Sequence, residues 1–282
     1  MRNNQERLSA NLENDKSSSD GAIAQQSGGD FSFIAANDIV ELPSKGILYP
    51  EGHPLHANPV VELKQMTAKE EDILTNQSYI KQGVVIERLL NSLVVDKNLN
   101  LDDLLIGDKN AILIELRKSA YGNSYPVNTF CRKCMHQQEV DFDLAECTHY
   151  RETAATDEVE LTDRNTYIVQ MPKTKATLEL RFLTSRDEKE LAQKQIKYEK
   201  HKLEYSSTIE TYRQMITSVN GERNLVGSYL EKMPLQDSRH LKKIARTVPP
   251  TAEMIGEYIC SSCGENNEQE VPITYRFFWP DF

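Results

Sequence analysis

Cys131-Arg132-Lys133-Cys134 and Cys260-Ser261-Ser262-Cys263 are the two stretches around which the chain is organised. Each holds two thiols three positions apart, as on a tight turn. Each follows a run with aromatic residues, Tyr125 to Phe130 and Tyr258-Ile259, and precedes a strand-like run. Two such knuckles supply four thiolates, the tetrahedral set of a closed structural zinc site. Cys131, Cys134, Cys260 and Cys263 are therefore the expected ligands of one zinc ion (Zn2+). The chain has five cysteines, and Cys147 is left over. An odd count in two CxxC pairs fits metal binding in a reducing compartment better than a disulfide framework. A thioredoxin-like CxxC would start a helix in a βαβ context, whereas both pairs here stand between strands. His136 could replace a cysteine, but the second knuckle has no counterpart to it. Cys147 and His149 are near in sequence and are weaker candidates.

Working outward from the knuckles, the chain reads as two related halves. Leu63-Lys64-Gln65-Met66-Thr67-Ala68-Lys69-Glu70 lines up with Leu180-Arg181-Phe182-Leu183-Thr184-Ser185-Arg186-Asp187 at an offset of 117. Asp108 lines up with Asp237 and Cys131 with Cys260, both at 129. Gln-Glu-Val follows each knuckle, at Gln138-Glu139-Val140 and Gln269-Glu270-Val271. The change of offset places an insertion of 12 residues between the second helix start and Asp237, most simply in a long helix. Two copies related by a pseudo-twofold axis would bring both knuckles to that axis, where one zinc ion would join the halves. The expected fold class is α+β, with two pseudo-repeated halves, each a few helices plus a strand–CxxC–strand zinc-ribbon-like hairpin. The expected boundaries are a disordered N-terminal arm over 1–37, a first half over 38–147, an acidic linker over 148–163 and a second half over 164–282.

Local signals fill in these halves. The arm is rich in Asn, Gln, Ser, Asp and Gly and poor in large apolar residues; Phe31, Phe33 and Ile34 at its end could form a docking hook. Pro43 and Gly46 bracket a turn, and Val60-Val61-Glu62-Leu63 has strand composition. Thr67 and Glu70 form a capping box. Val84, Val85, Leu89, Leu90 and Leu93 put an apolar stripe on the next helix. Asp108 is expected to cap a helix that Gly122 stops. Ser185-Arg186-Asp187-Glu188 reads as a second capping box, with Ser185 as the cap, and starts a charged helix running to about Val219. Its seam of Leu191, Tyr198, Tyr205 and Tyr212 recurs every seven residues, as in a coiled-coil contact or a helix packed on its own domain. A further helix spans about Asp237 to Arg246, ended by Pro249-Pro250. The single Trp, in Phe277-Phe278-Trp279-Pro280, suggests a tail that packs down.

Composition bounds the function. Hydrophobic residues make up 39% and charged residues 27%, as in a soluble globular protein. No apolar run approaches the roughly 20 residues of a membrane helix, and no signal-peptide core opens the chain. The net charge of −10 argues against general nucleic-acid binding. No glycine-rich phosphate loop, nucleophile elbow or His-Glu-x-x-His is present. The acidic pairs Glu70-Glu71 and Asp102-Asp103 stand near helix starts, where they favour the macrodipole.

Four stretches carry a resemblance: Glu41-Leu42-Pro43-Ser44-Lys45-Gly46-Ile47-Leu48-Tyr49-Pro50, Met66-Thr67-Ala68-Lys69-Glu70-Glu71-Asp72-Ile73-Leu74, Asp102-Asp103-Leu104-Leu105-Ile106-Gly107-Asp108-Lys109-Asn110 and the closing Phe277-Phe278-Trp279-Pro280. From about residue 38 onward the chain resembles the T-even-type phage baseplate hub family of hub subunits and hub assembly proteins. The resemblance implies a non-enzymatic phage tail protein that acts by contact with other baseplate and tail hub proteins. It implies neither a membrane nor a small-molecule substrate as partner. Its place would be the host cytoplasm during assembly, or the tail baseplate of the virion. A zinc-ribbon nucleic-acid-binding or transcription adaptor, suggested by Arg132-Lys133, is the alternative; a thiol oxidoreductase is a third.

Overall fold

The computed structural model describes residues 36–153, 158–273 and 277–279. The expectations for residues 1–35, including Phe31, Phe33 and Ile34, lie outside the described residues, as do 154–157, 274–276 and Pro280. The described chain is a mixture of helices and four small antiparallel sheets.

It opens with a hairpin, β1 (Asp38–Glu41) and β2 (Val60–Leu63), which buries Val40, Val61 and Leu63. Helices α1 (Ala68–Thr75), α2 (Gln77–Gln82) and α3 (Val85–Leu93) follow. In α1 the Glu70 carboxylate reaches back to accept the Thr67 amide (3.1 Å) and hydroxyl (2.6 Å), closing the expected box. Val85, Leu89, Leu90 and Leu93 form the buried stripe of α3, because residues four apart share a helix face. The chain then returns beside β2, where the Val95 amide donates to the Glu62 carbonyl (3.1 Å). A 3-10 turn at Leu101–Asp103 leads into α4 (Ile106–Tyr121), then β3 (Ser124–Phe130) and β4 (Gln137–Asp143).

The stretch expected as a linker carries structure on both sides. Helix α5 (Leu144–Cys147) and strand β5 (Thr148–Arg151) come first, and β6 (Val159–Leu161) later. Strands β7 (Thr166–Gln170) and β8 (Thr177–Arg181) lie beside β6. Next are α6 (Ser185–Lys200), α7 (Ser207–Met215), β9 (Ile216–Val219), α8 (Leu225–Lys232) and α9 (Leu235–Thr247). Strands β10 (Thr251–Ile259) and β11 (Asn266–Glu270) close the sequence of elements. Strand β10 pairs with β11 on one side and with β5, from the stretch expected as a linker, on the other.

The long helix expected from Ser185 to Val219 is instead a helical hairpin followed by a strand. Its cap is Thr184 rather than Ser185: the Asp187 carboxylate accepts the Thr184 amide at 2.8 Å. The helix breaks at 201–206, where Lys202 adopts a φ of 54°. The tyrosine seam is turned inward. Tyr205 packs edge-on against Tyr198 at 5.5 Å and donates to the Leu191 carbonyl, and Tyr212 donates to the Ser238 carbonyl. These contacts use the seam within the chain, which removes the coiled-coil reading.

Asp108 is the second correction. It is the third residue of α4 and fully buried, but it does not cap the helix. Its carboxylate accepts the Ser44 amide (2.9 Å), the Ser44 hydroxyl (2.6 Å) and the Tyr49 hydroxyl (2.7 Å). Asp237, third residue of α9 and equally buried, accepts the Lys173 amide (2.7 Å) and the Thr174 amide (3.1 Å) and hydroxyl (2.7 Å). Each helix thus fixes the turn that leaves β1 or β7.

The two carboxyls titrate in opposite directions. Burial would raise Asp237, but the bonds from Thr174, Lys173 and Tyr229 outweigh it and hold the pKa below the usual range. Burial dominates at Asp108 and raises it despite its bonds from Ser44 and Tyr49. A lowered folded pKa gives stability that is present above the unfolded value, near 4, and is lost as pH falls through the folded one. A raised one gives the reverse slope. Asp237→Asn is therefore expected to lose less stability than the parent between pH 5 and 3, and Asp108→Asn to lose more, read as urea midpoints. At pH 7 Asp237→Asn is expected to cost about 1.5–3 kcal/mol from bonds to a charged acceptor, and Asp108→Asn less, because burial of the charge offsets its bonds.

Residues 277–279 pack down as expected. Phe277 is fully buried, edge-on to Tyr125 at 5.2 Å, and the Trp279 indole donates to the Leu74 carbonyl at 2.8 Å.

Candidate metal centre

Each CxxC closes the turn of an antiparallel hairpin. In β3–β4 the last facing pair is Phe130 and Gln137; in β10–β11 it is Ile259 and Asn266. The turns carry the same bonds. The Cys131 amide donates to the His136 carbonyl and the Met135 amide to the Cys131 carbonyl, both at 2.9 Å. The Cys260 amide donates to the Glu265 carbonyl and the Gly264 amide to the Cys260 carbonyl, also at 2.9 Å. The fifth residue of each turn needs positive φ, 59° at Met135 and 71° at Gly264. Glycine adopts this without a Cβ clash.

The hairpins meet at their tips. All four sulfurs lie within 4.8 Å of one another. Two pairs cross between knuckles, Cys131 to Cys263 and Cys134 to Cys260, both at 3.6 Å. These are far beyond a disulfide bond of about 2.05 Å. They are close to the edge of about 3.8 Å of a tetrahedron with 2.3 Å metal–sulfur bonds. The four cysteines could therefore hold a metal ion, and thiolate donors in this arrangement suit a soft or borderline cation. Cys131 and Cys260 are buried while Cys134 and Cys263 reach the surface. The backbone amide of Cys134, aimed at the Cys131 sulfur, lowers that thiol to about 6, with burial opposing and the Lys133 amide helping. Cys263 moves the other way: the Glu265 amide lowers it, but the Cys134, Cys131 and Cys260 sulfurs and burial outweigh that and raise it. Negative charge therefore forms most easily at Cys131, and a bound cation would be needed to hold all four as thiolates.

Two amide side chains lock the tips together. Gln138 accepts the Ser261 amide (2.7 Å) and hydroxyl (2.8 Å) and donates to the Ile259 carbonyl (3.2 Å). Asn267 accepts the Arg132 amide (3.1 Å) and donates toward the Cys131 sulfur (3.7 Å). Such outer contacts orient the first ligands. The sequence reading missed both residues. Its Gln-Glu-Val match set Gln138 against Gln269, but the hairpin registers set Gln138, facing Thr129, against Asn267, facing Tyr258. Polar amides at the same distance after each knuckle were the available signal. Below the tips Phe142 meets Tyr258 edge-on at 6.3 Å.

The weaker candidates stand apart. Among the described residues the cluster contains the four knuckle cysteines and neither His136, Cys147 nor His149. Cys147 is buried in α5, and that burial raises its thiol. A cleft of about 1030 Å³ lies between α3, α4, α6 and β10. Several of its charged groups pair across it: Lys109 with Glu188, and Lys189 with Glu87 (2.7 Å) and Asp102 (3.0 Å). Burial lowers Lys109 to about 8. Among the described residues no helix is long and apolar enough to cross a membrane.

Fold and site thus define a mixed helix-and-sheet protein whose two CxxC hairpins form one four-cysteine cluster. Residues 36–279 match the family described as T4 bacteriophage base plate protein, and the chain belongs to that family. Comparison with curated proteins and with solved structures gave no match.

Proposed function

We propose that the chain is a non-enzymatic component or assembly factor of the baseplate hub, working through contacts with other tail proteins. In this reading its two halves are copies of one unit joined by a single structural zinc ion. The family match carries the first part. The reciprocity of the metal centre carries the second. Gln138 holds the Ser261 amide, and Asn267, 129 positions later, holds the Arg132 amide, 129 positions earlier than Ser261. Exchange of the halves likewise turns the Cys131–Cys263 pair into the Cys134–Cys260 pair, at the same 3.6 Å.

The same spacing relates Pro43 to Pro172 and Asp108 to Asp237, while Thr67 and Thr184 differ by 117. A second length change accounts for this. Residues 42–59 join β1 to β2, whereas 171–176 join β7 to β8, twelve fewer. The α6–α7 region restores the difference, as the sequence suggested for the long helix.

Four thiolates without an open position suit structural zinc rather than catalysis. Host cytoplasm during assembly is the compartment in which such thiols stay reduced. Against the adaptor alternative stand the net charge of −10 and the Ser261-Ser262 pair, which gives the second knuckle no basic residue. The test is deletion of the gene with proteomics of purified particles. Intact heads with absent or incomplete tails are expected, and normal tails would sink the proposal. Presence of the chain in particles makes it a component; its absence makes it an assembly factor.

A further inference from the structure

We propose that the outer edge of β1 receives an extended strand from a partner protein, one with an apolar residue set between basic ones. The proposal rests on the reading of the chain as two copies of one unit. In the second half the equivalent edge is covered. Strand β6 lies antiparallel on β7, with Val159 opposite Val169, Glu160 opposite Ile168 and Leu161 opposite Tyr167. Strand β1 stands 129 positions earlier than the residues of β7. It pairs with β2 on one side, and among the described residues no strand covers the other. The far side of β2 is already taken by Val94 and Val95, through the Leu63–Val94 bridge and the Val95 bond to Glu62. So among the described residues β1 is the open edge. Ile39 on it is 71% exposed, while its counterpart Ile168, beside β6, is half-buried. Open edges of this kind template strand addition.

The β6 register, carried onto β1, specifies the incoming chemistry. The residue opposite Val40 faces the core, because Val40 is 1% exposed. It must be apolar, as Val159 is. The residues opposite Glu41 and Asp38 meet carboxylates on either side of it. The Asp38 carboxylate accepts the Ser119 hydroxyl (2.6 Å), and Glu41 faces Lys45 at 3.2 Å in an exposed pair. Exposed pairs of that kind contribute little and can be exchanged. Opposite charges facing across a sheet stabilise it and like charges do the reverse. Read along the incoming strand, the pattern is basic, apolar, any, basic. The chain's own sequence 129 positions before β6 reads Asp30-Phe31-Ser32, which lacks this pattern.

The test uses the full chain loaded with zinc and two synthetic octapeptides. One carries arginine, valine, threonine and lysine at its centre between threonines; the other has glutamate in place of both basic residues. Amide exchange over residues 38–41 is expected to slow at least tenfold with the basic peptide and not with the acidic one. In the double variant Asp38→Lys, Glu41→Lys the preference is expected to reverse, with metal content unchanged as the control for folding. Absence of slowing at 38–41, or equal slowing by both peptides, would overturn the proposal. So would full protection of 38–41 in the free chain, which would mean that the edge is filled from within. The same exchange run reports the Arg132 and Ser261 amides. Protection of both, with no effect at β1, would leave the duplication standing and remove only the docking site.

Discussion

Cys260→Ser, or removal of the metal by a chelator, is expected to lower the melting temperature by about 8–16 °C and to release the two knuckles from each other. Cys260 is 1% exposed and its sulfur faces Cys134 at 3.6 Å. A serine there leaves three thiolates and a buried hydroxyl in place of a ligand. Structural zinc contributes about 10–16 kcal/mol in small fingers that have no other core. Here β10 is also held by β5, and Phe142 of β4 packs against Tyr258 of β10, so only part of that is at stake. A loss of about 4 kcal/mol, at about 2–4 °C for each kcal/mol in a domain of this size, gives the stated range. The loss should be local at first: the Arg132 and Ser261 amides, held by Asn267 and Gln138, should exchange faster while α3 and α4 stay protected. Unchanged melting with unchanged exchange at those two amides would mean that the cysteines join nothing.

Gly107→Ala is expected to destabilise the chain by about 3 kcal/mol or more, read as a fall in the urea midpoint. Helix propensity alone predicts the opposite, a gain that reaches about 1 kcal/mol in a helix interior and is smaller at Gly107, the second residue of α4. Packing decides the sign. A Cβ at Gly107 would lie 2.0 Å from the Pro250 carbonyl oxygen, 2.7 Å from its carbon and 2.8 Å from the Thr251 Cα. All three are backbone atoms, at the point where α4 of the first half meets the start of β10. Neither a rotamer change nor a shift of a few tenths of an ångström relieves such a contact, so the helix and strand must separate. Overpacking elsewhere costs about 1–3 kcal/mol because side chains can give. Gly256→Ala is the comparison: its Cβ would meet the Phe142 ring at 2.3 Å, and a ring can tilt. The account predicts the larger loss at Gly107, and equal losses would contradict it.

Much of this was legible in the sequence where one residue type answers one local need. Thr67 and Glu70 announced a helix start, and the stripe from Val85 to Leu93 announced a buried face. The four cysteines pointed to one another through chemistry, since a thiolate set has few other uses in a reducing compartment. Three features were not legible. A seam at seven-residue spacing reads the same in one long helix and in a helix folded back on itself, so Tyr198 and Tyr205 could not reveal the break between them. An aspartate near a helix start looks like a cap, and only the fold brings Ser44 and Tyr49 to Asp108 across 64 and 59 residues of chain. Strand β5 is only four residues long and depends on β10, a hundred positions away; nothing local marks it. The partners of the metal centre, Gln138 and Asn267, escaped for the same reason: their value lies in what the other half presents to them.

The central claim, that one metal ion joins two copies of a unit through four cysteines, is tested most directly by metal content together with X-ray absorption at the metal edge on the full chain. The account predicts one zinc per chain, with four sulfur neighbours at about 2.3 Å and no nitrogen or oxygen ligand. Two metals per chain, fewer than four sulfurs, or a histidine in the shell would contradict it.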